Sequence, residues 1–216
     1  MNQASDTWVK QSAFAAPIYC VHKPEFLDVI NQVAQDFIAK RKLDADLNPN
    51  YPAYMTDNIN YDPKVLPFAN YVAQTGWNIL EDQGHKVDNL RTFFGAMWCQ
   101  EHHKHSMMDQ HVHGEGVQIV GFYFLNSPKK CSRAVFHHPS SAKVQINLPQ
   151  ENEDNLTDSS IMMNIVPSPG LLVFSNSWVP HSFSRNESDE PLRFIHFNIN
   201  VAEAGTQSSP PPAEVI

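Results

Sequence analysis

From Val87 onward the chain is a string of short apolar runs cut by turn residues, and this punctuation limits the fold more than any other feature. The runs are RTFFGAMWCQ, VQIVGFYFLN, RAVFHH, AKVQINL, SIMMNIV, LLVFSNSW, HSFSR and LRFIHFNINV. They are short, and rich in β-branched and aromatic residues, which favours strands over helices. Asn126-Ser127-Pro128, Pro139-Ser140-Ser141, Pro167-Ser168-Pro169-Gly170 and Asn186-Glu187-Ser188-Asp189 separate them as turns. The region before Val87 has a different period. After a short strand over Phe14–Val21, the run PEFLDVINQVAQDFIAKRK places Phe26, Leu27, Ile30, Val33, Ala34, Phe37 and Ile38 at helical spacing. Acidic Glu25 and Asp28 come first and basic Lys40, Arg41 and Lys42 last, as the helix dipole prefers. A second helix is expected over about Pro63–Asp82, closed by Gly84. Helices followed by many short strands predict a mainly β chain with flanking helices (α+β): a sandwich or jelly roll with the helices packed outside.

The expected organisation is one domain over residues 1–202, with a helical support region at about 22–86 and a β core at about 87–202. Residues 203–216 read as a mobile tail or extended arm, and Pro149–Ser159 as an exposed acidic loop. A chain of 216 residues can bury a core without covalent staples. The net charge of -8 and pI of about 5.7 disfavour nucleic acid as an electrostatic partner. Cys20, Cys99 and Cys131 form no CxxC pair, which argues against a disulfide framework or zinc ribbon and suits a reducing cytoplasm. No apolar run has the length of a membrane span, and the first residues lack the pattern of a secretion signal.

Histidine is the unusual residue: there are 11, and His102, His103, His105, His111 and His113 fall close together. In MMDQHVHGEGVQIVGFYFLN, His111, His113 and Glu115 alternate, so on extended backbone all three point one way. Imidazole and carboxylate are metal-ligand types, and a metal site is one reading of this spacing; a polar loop before a strand is the other. His181 lies far downstream, at the edge of a later run. Arg193 sits inside an apolar strand, where a charge is costly unless paired, and it calls for either an acidic neighbour or a bound carboxylate. His196 lies three residues beyond Arg193 and so faces the opposite way on a strand, as a satisfied core histidine; Asn198 shares its face. His102, His103 and His105 read as a solvated loop, Arg185 as solvated, Trp98 and Trp178 as packing residues, and Cys99 and Cys131 as small buried side chains.

An ordered set of fragments resembles the Fe(II)- and 2-oxoglutarate-dependent oxygenases, closest to the small members common in marine cyanophages. The fragments are HVH at His111–His113, GFYFL at Gly121–Leu125, PGLLVF at Pro169–Phe174, WVPH at Trp178–His181, Arg193, and FNI at Phe197–Ile199. The likeness spans roughly Asn89 to Val201. At His137 and His138 the chain departs from it, reading HHPSS where relatives often carry Asp-Pro-Arg.

The resemblance implies a double-stranded β-helix (a cupin-like jelly roll) holding Fe(II), with 2-oxoglutarate and O2 as small-molecule partners. It also implies a catalytic and metal set of His111, His113 and His181, or alternatively His113, Glu115 and His181. Arg193 would anchor the far carboxylate of 2-oxoglutarate, and Tyr123 would add a hydroxyl donor. The expected reaction is oxidative decarboxylation of 2-oxoglutarate coupled to hydroxylation of an unidentified substrate, with peptidyl proline and a small metabolite as candidates. The expected setting is cytoplasmic (a host cytoplasm if the chain is phage-encoded), without a membrane partner and with room for a homodimer. Two alternatives stay open: a cupin-like three-histidine dioxygenase that needs no 2-oxoglutarate, and a metal-free jelly roll with a binding or structural role.

Overall fold

The computed structural model describes residues 13–114, 116–146 and 148–205. Ten strands and three α-helices follow in order: β1 (Ile18–His22), α1 (Leu27–Asp44), β2 (Ala53–Met55), α2 (Leu66–Asp82), β3 (Leu90–His102), β4 (Met108–His111), β5 (Val117–Phe124), β6 (Ala134–His137), α3 (Ser141–Ile146), β7 (Met162–Ile165), β8 (Leu171–Asn176), β9 (His181–Phe183) and β10 (Leu192–Glu203). The strands form two antiparallel sheets, ordered β1-β8-β5-β10-β3-β2 and β4-β9-β6-β7. This is a mainly β, double-stranded β-helix with flanking helices. No helix among the described residues is long and apolar enough to cross a membrane.

The helices cover one face of the larger sheet. α1 buries Ile30, Val33, Ala34 and Ile38, and α2 buries Phe68, Ala69, Val72, Gly76, Ile79 and Leu80. These meet Tyr123, Leu172, Phe174, Ile195, Phe197 and Ile199 from the sheet. The other face of that sheet, with the inner face of the smaller one, encloses a second core of Phe122, Phe124, Phe136, Val173, Phe183, Leu192 and Phe194. Alternation along β5 and β10 therefore assigns every side chain to a layer: odd residues Tyr123, Arg193, Ile195 and Phe197 toward the helices, even residues Phe122, Phe124, Leu192, Phe194 and His196 between the sheets. Gly121 is forced by packing, since a Cβ there would stand 2.2 Å from the Val173 carbonyl oxygen and 2.3 Å from the Phe197 ring.

Two expectations fail locally. AKVQINL is not a strand: Ser141–Ile146 forms the one-and-a-half-turn α3, with no buried residue and with Val144 and Ile146 exposed. The tract EHHKH is not all solvated loop. β3 continues through Glu101 and His102, both fully buried, because β10 and β2 pair with it there. Most of the expected tail, residues 206–216, lies outside the described residues.

Candidate metal centre

Cross-strand pairing builds the site. His111 ends β4 and stands opposite His181, the first residue of β9. His113 follows on the loop that leads into β5, where its N–H donates to the Ser177 carbonyl (3.0 Å). Ser177 is itself held by its N–H to the Gln118 carbonyl (3.0 Å) and its hydroxyl to the Val117 carbonyl (2.6 Å). Gly116 takes φ +83° at the return into β5, a backbone region that glycine occupies without steric cost. The loop carrying His113 and the turn before His181 are thus fastened to the same strand.

The result is a cluster in which His111, His113 and His181 each offer a ring nitrogen, all within 4.8 Å of one another. The ring centroids lie 4.5 Å apart for His111–His181 and 5.2 Å apart for both His111–His113 and His113–His181. Backbone carbonyls set two of the tautomers. His111 Nδ1 donates to the Asp109 carbonyl (2.8 Å) and His181 Nδ1 to the Val179 carbonyl (3.1 Å), which leaves each Nε2 as a lone pair facing the cluster. The buried Nε2 atoms of His113 and His181 meet no hydrogen-bond partner among the described residues. Burial pushes the His113 imidazole down to about 4, helped by the neighbouring His111, and the His181 imidazole down to about 3, against the opposing pull of the Val179 carbonyl. Both are therefore neutral near pH 7, the state that binds a metal ion. Two neutral imidazoles with unpartnered Nε2 atoms, joined by the His111 ring, fit a divalent transition metal. Glu115, the alternative third ligand, lies outside the described residues.

The two residues expected to hold 2-oxoglutarate are placed elsewhere. Arg193 lies on the helix-facing side of β10, and its Nε donates to Glu101 Oε2 at 2.5 Å. Lys42 of α1 and His103 hold the other oxygen of the same carboxylate, at 2.7 and 2.8 Å. The acidic neighbour, one of the two partners the strand arginine called for, is therefore present, and the guanidinium is committed to it. Tyr123 also faces the helices, donating its hydroxyl to the Lys23 carbonyl (2.7 Å) with its ring 4.8 Å from Phe68. The inner-face neighbours at these positions are Leu192, Phe194, Phe122 and Phe124, none of them charged. The residues present thus fit the metal, while the expected anchor for the far carboxylate does not face it.

His196 enters the site instead of filling the satisfied core role. It is 1% exposed, stacks on Trp98 at 4.3 Å, and lies 5.2 Å from the His113 ring. The signal was available in the strand parity, which places His196 and Arg193 on opposite faces. If the histidines gather on the inner face, His196 joins them and Arg193 does not.

The match to known proteins follows the same region. Residues 96–198 match the family model described as "Putative 2OG-Fe(II) oxygenase". No curated protein matches. Among solved structures, AviO1 from Streptomyces viridochromogenes superposes with a TM-score of 0.61 at 11% identity, covering 92% of this chain and 93% of that one. A Pseudomonas putida prolyl-4-hydroxylase gives 0.54 at 13% identity, over 86% and 92%. HygX from Streptomyces hygroscopicus, solved with nickel and 2-oxoglutarate bound, gives 0.54 at 11% identity, over 86% and 83%. These likenesses, with the two-sheet topology, show that the chain has the double-stranded β-helix fold.

Proposed function

We propose that the chain is a non-haem Fe(II) dioxygenase that couples oxidative decarboxylation of 2-oxoglutarate to hydroxylation of an organic substrate, a peptidyl proline or a small metabolite. The observation that carries this reading is the group of three imidazoles, two with buried Nε2 atoms that meet no partner among the described residues, in the double-stranded β-helix fold. Leaving a buried polar nitrogen unpaired costs about 1–3 kcal/mol. Two such atoms within one cluster are explained by an ion that takes their lone pairs. Iron and 2-oxoglutarate together would supply the activation of O2 toward a C–H bond.

The chain's own contribution is positional. His111, His113 and His181 would occupy one side of the ion and leave the other side open. The Asp109 and Val179 carbonyls keep two of the rings in the ligating tautomer. Phe122 and Phe136, packed against His181 at 5.6 and 6.0 Å, keep water from its buried side. A cytoplasmic setting belongs to the same proposal, with Cys20, Cys99 and Cys131 all free thiols.

A second reading is favoured by one observation, the commitment of Arg193 to Glu101. It is a three-histidine dioxygenase that uses no 2-oxoglutarate. Anaerobic titration separates the two. The leading reading expects Fe(II) to bind in a single site, and a visible charge-transfer band to appear when 2-oxoglutarate is added. Iron binding without that band, and without 2-oxoglutarate consumption in air, would leave the second reading. Absence of metal binding would leave only a non-catalytic jelly roll.

A further inference from the structure

We propose that the open edge of β7, with the apolar cleft beside it, docks an extended basic peptide. The peptide adds as a further strand to the smaller sheet and seats one large apolar side chain in the cleft. β7 stands two strands away from β9, which carries His181, and the inference does not rest on the reaction proposed above. The cleft has a volume of about 200 Å³ and opens between the two sheets, where their outermost strands β1 and β7 stand. Ile18, Phe136, Leu156, Met162, Met163 and Val179 line it. Small-molecule pockets run to roughly 300–1,000 Å³, so this cleft is sized for a single side chain.

The edge supplies the main-chain groups that a peptide strand needs. The His138 N–H donates to the Ile161 carbonyl (2.8 Å), in the same register that pairs Phe136 with Met163. Antiparallel ladders alternate bonded and unbonded pairs, so Phe136 and Met163 bond each other while Met162 and Asn164 turn their N–H and C=O outward. β7 ends the order β4-β9-β6-β7, and neither outward residue has a main-chain partner among the described residues. Both side chains are exposed as well. Open edges are ordinarily blunted by charged side chains or proline, and Met162–Ile165 carries neither.

Charge beside the cleft selects the partner. Leu156, a lining residue, belongs to an exposed stretch with Glu151, Glu153 and Asp154. Lys143, the cation nearest to them in the chain, donates to the Ser160 carbonyl (3.0 Å). Three carboxylates beside an apolar cleft favour a peptide whose apolar anchor is flanked by lysine or arginine, and disfavour an acidic one. Main-chain bonds then supply affinity, while the cleft and the carboxylates choose the sequence.

The test is fluorescence anisotropy of labelled peptides of the form Lys-Lys-Thr-X-Thr-Lys-Lys, with X leucine, phenylalanine or serine, titrated with the full chain. Light scattering of the protein alone, at the same concentrations, reads self-association. Leucine or phenylalanine should bind about 10–100-fold more tightly than serine, the effect of burying one apolar side chain. Exchanging the lysines for glutamates should abolish binding. Methylating alternate peptide nitrogens should abolish binding for one set and spare the other, since only every second N–H of an added strand faces its neighbour. Asn164→Pro removes an outward N–H, leaves the ladder to β6 intact, and should weaken the leucine peptide by about tenfold. Leu156→Ser should shrink the leucine-to-serine ratio by about 3–10-fold.

Equal binding of the leucine and serine peptides overturns the role of the cleft. The same effect from both methylated sets, or parent-like binding by Asn164→Pro, overturns strand addition. A parent that binds none of the peptides overturns the proposal outright. A parent dimer that Asn164→Pro dissociates, with no peptide bound, gives the edge to a second copy of this chain and overturns it too. If either variant fails to fold, the changes made in the peptide decide alone.

Discussion

β10 carries two unlike clusters back to back. Toward the helices, Glu101 is fully buried, yet Arg193, Lys42 and His103 all reach its oxygens. Burial raises its carboxyl, but the hydrogen bonds and charges of Lys42 and Arg193 outweigh that and hold it below the ordinary range. Between the sheets, His113, His181 and His196 are also withdrawn from water, and burial lowers all three imidazoles. No acidic partner answers them among the described residues of the cluster. The difference teaches how to sort buried polar groups in this fold. The outer cluster has spent its hydrogen bonds, and it joins α1, β3 and β10 as structure. The inner cluster has not spent them, and that unspent capacity is what a ligand would use.

The contrast can be broken from either side. The largest effect belongs to the inner cluster: His181→Ala should abolish metal binding, a greater loss than the 10–100-fold typical when only a hydrogen-bond partner of a ligand is removed. Metal titration followed by calorimetry reads this directly, and retention of parent-like affinity would show that the imidazoles do not act together.

Acid should come next. His102 is pushed down to about 4, chiefly by burial, and His181 to about 3. In the unfolded chain both return to about 6.5. The unfolded state then binds protons that the fold refuses, so stability is complete above about pH 6.5 and is lost as pH falls toward the folded values. Each group contributes about 1.4 kcal/mol per pH unit inside that window. Melting temperatures of the metal-free protein between pH 7 and pH 5 should drop accordingly. A flat profile would mean the imidazoles are not buried in the neutral form.

The outer cluster should give the smaller effect. Arg193→Met should cost about 2–4 kcal/mol in denaturant unfolding, somewhat less than loss of a partner from a fully buried pair, because Lys42 still faces Glu101. Arg193 also keeps 29% of its side chain exposed. Metal affinity should not change. A change in metal affinity without a change in stability would place Arg193 in the site after all.

How much of this was legible in the sequence depends on where the deciding partners lie. The strands at VQIVGFYFLN and LRFIHFNINV were readable because a buried strand needs only its own apolar run and flanking turns. α1 was readable from the spacing of Ile30, Val33 and Ile38, and the end of α2 from Gly84, which takes φ +83° just past Asp82. AKVQINL was misread because Val144 and Ile146 are exposed, so their spacing records no buried face. Glu101 and His102 were misread because polar residues next to charge suggest solvent. Their partners come from α1, β10 and the adjoining strand positions, and no local pattern announces that.

Arg193 shows the same limit in sharper form. The sequence required that something pair with it, and the fit of a guanidinium to a carboxylate pointed to a bound ligand ahead of an acidic neighbour. Only the register of β10 against β3 shows that Glu101 stands opposite Arg193 and bonds its Nε. The grouping of His111 and His181, by contrast, follows from the register of β4 against β9, which joins residues 70 positions apart through backbone hydrogen bonding rather than through any motif.

The central claim is that one ion is held by three imidazoles on the inner face. X-ray absorption spectroscopy of the Fe(II)-loaded protein tests it most directly, by counting the histidine ligands. The account predicts three, falling to two in His111→Ala. Two imidazoles in the parent, unchanged in His111→Ala, would contradict it and move the third ligand to Glu115.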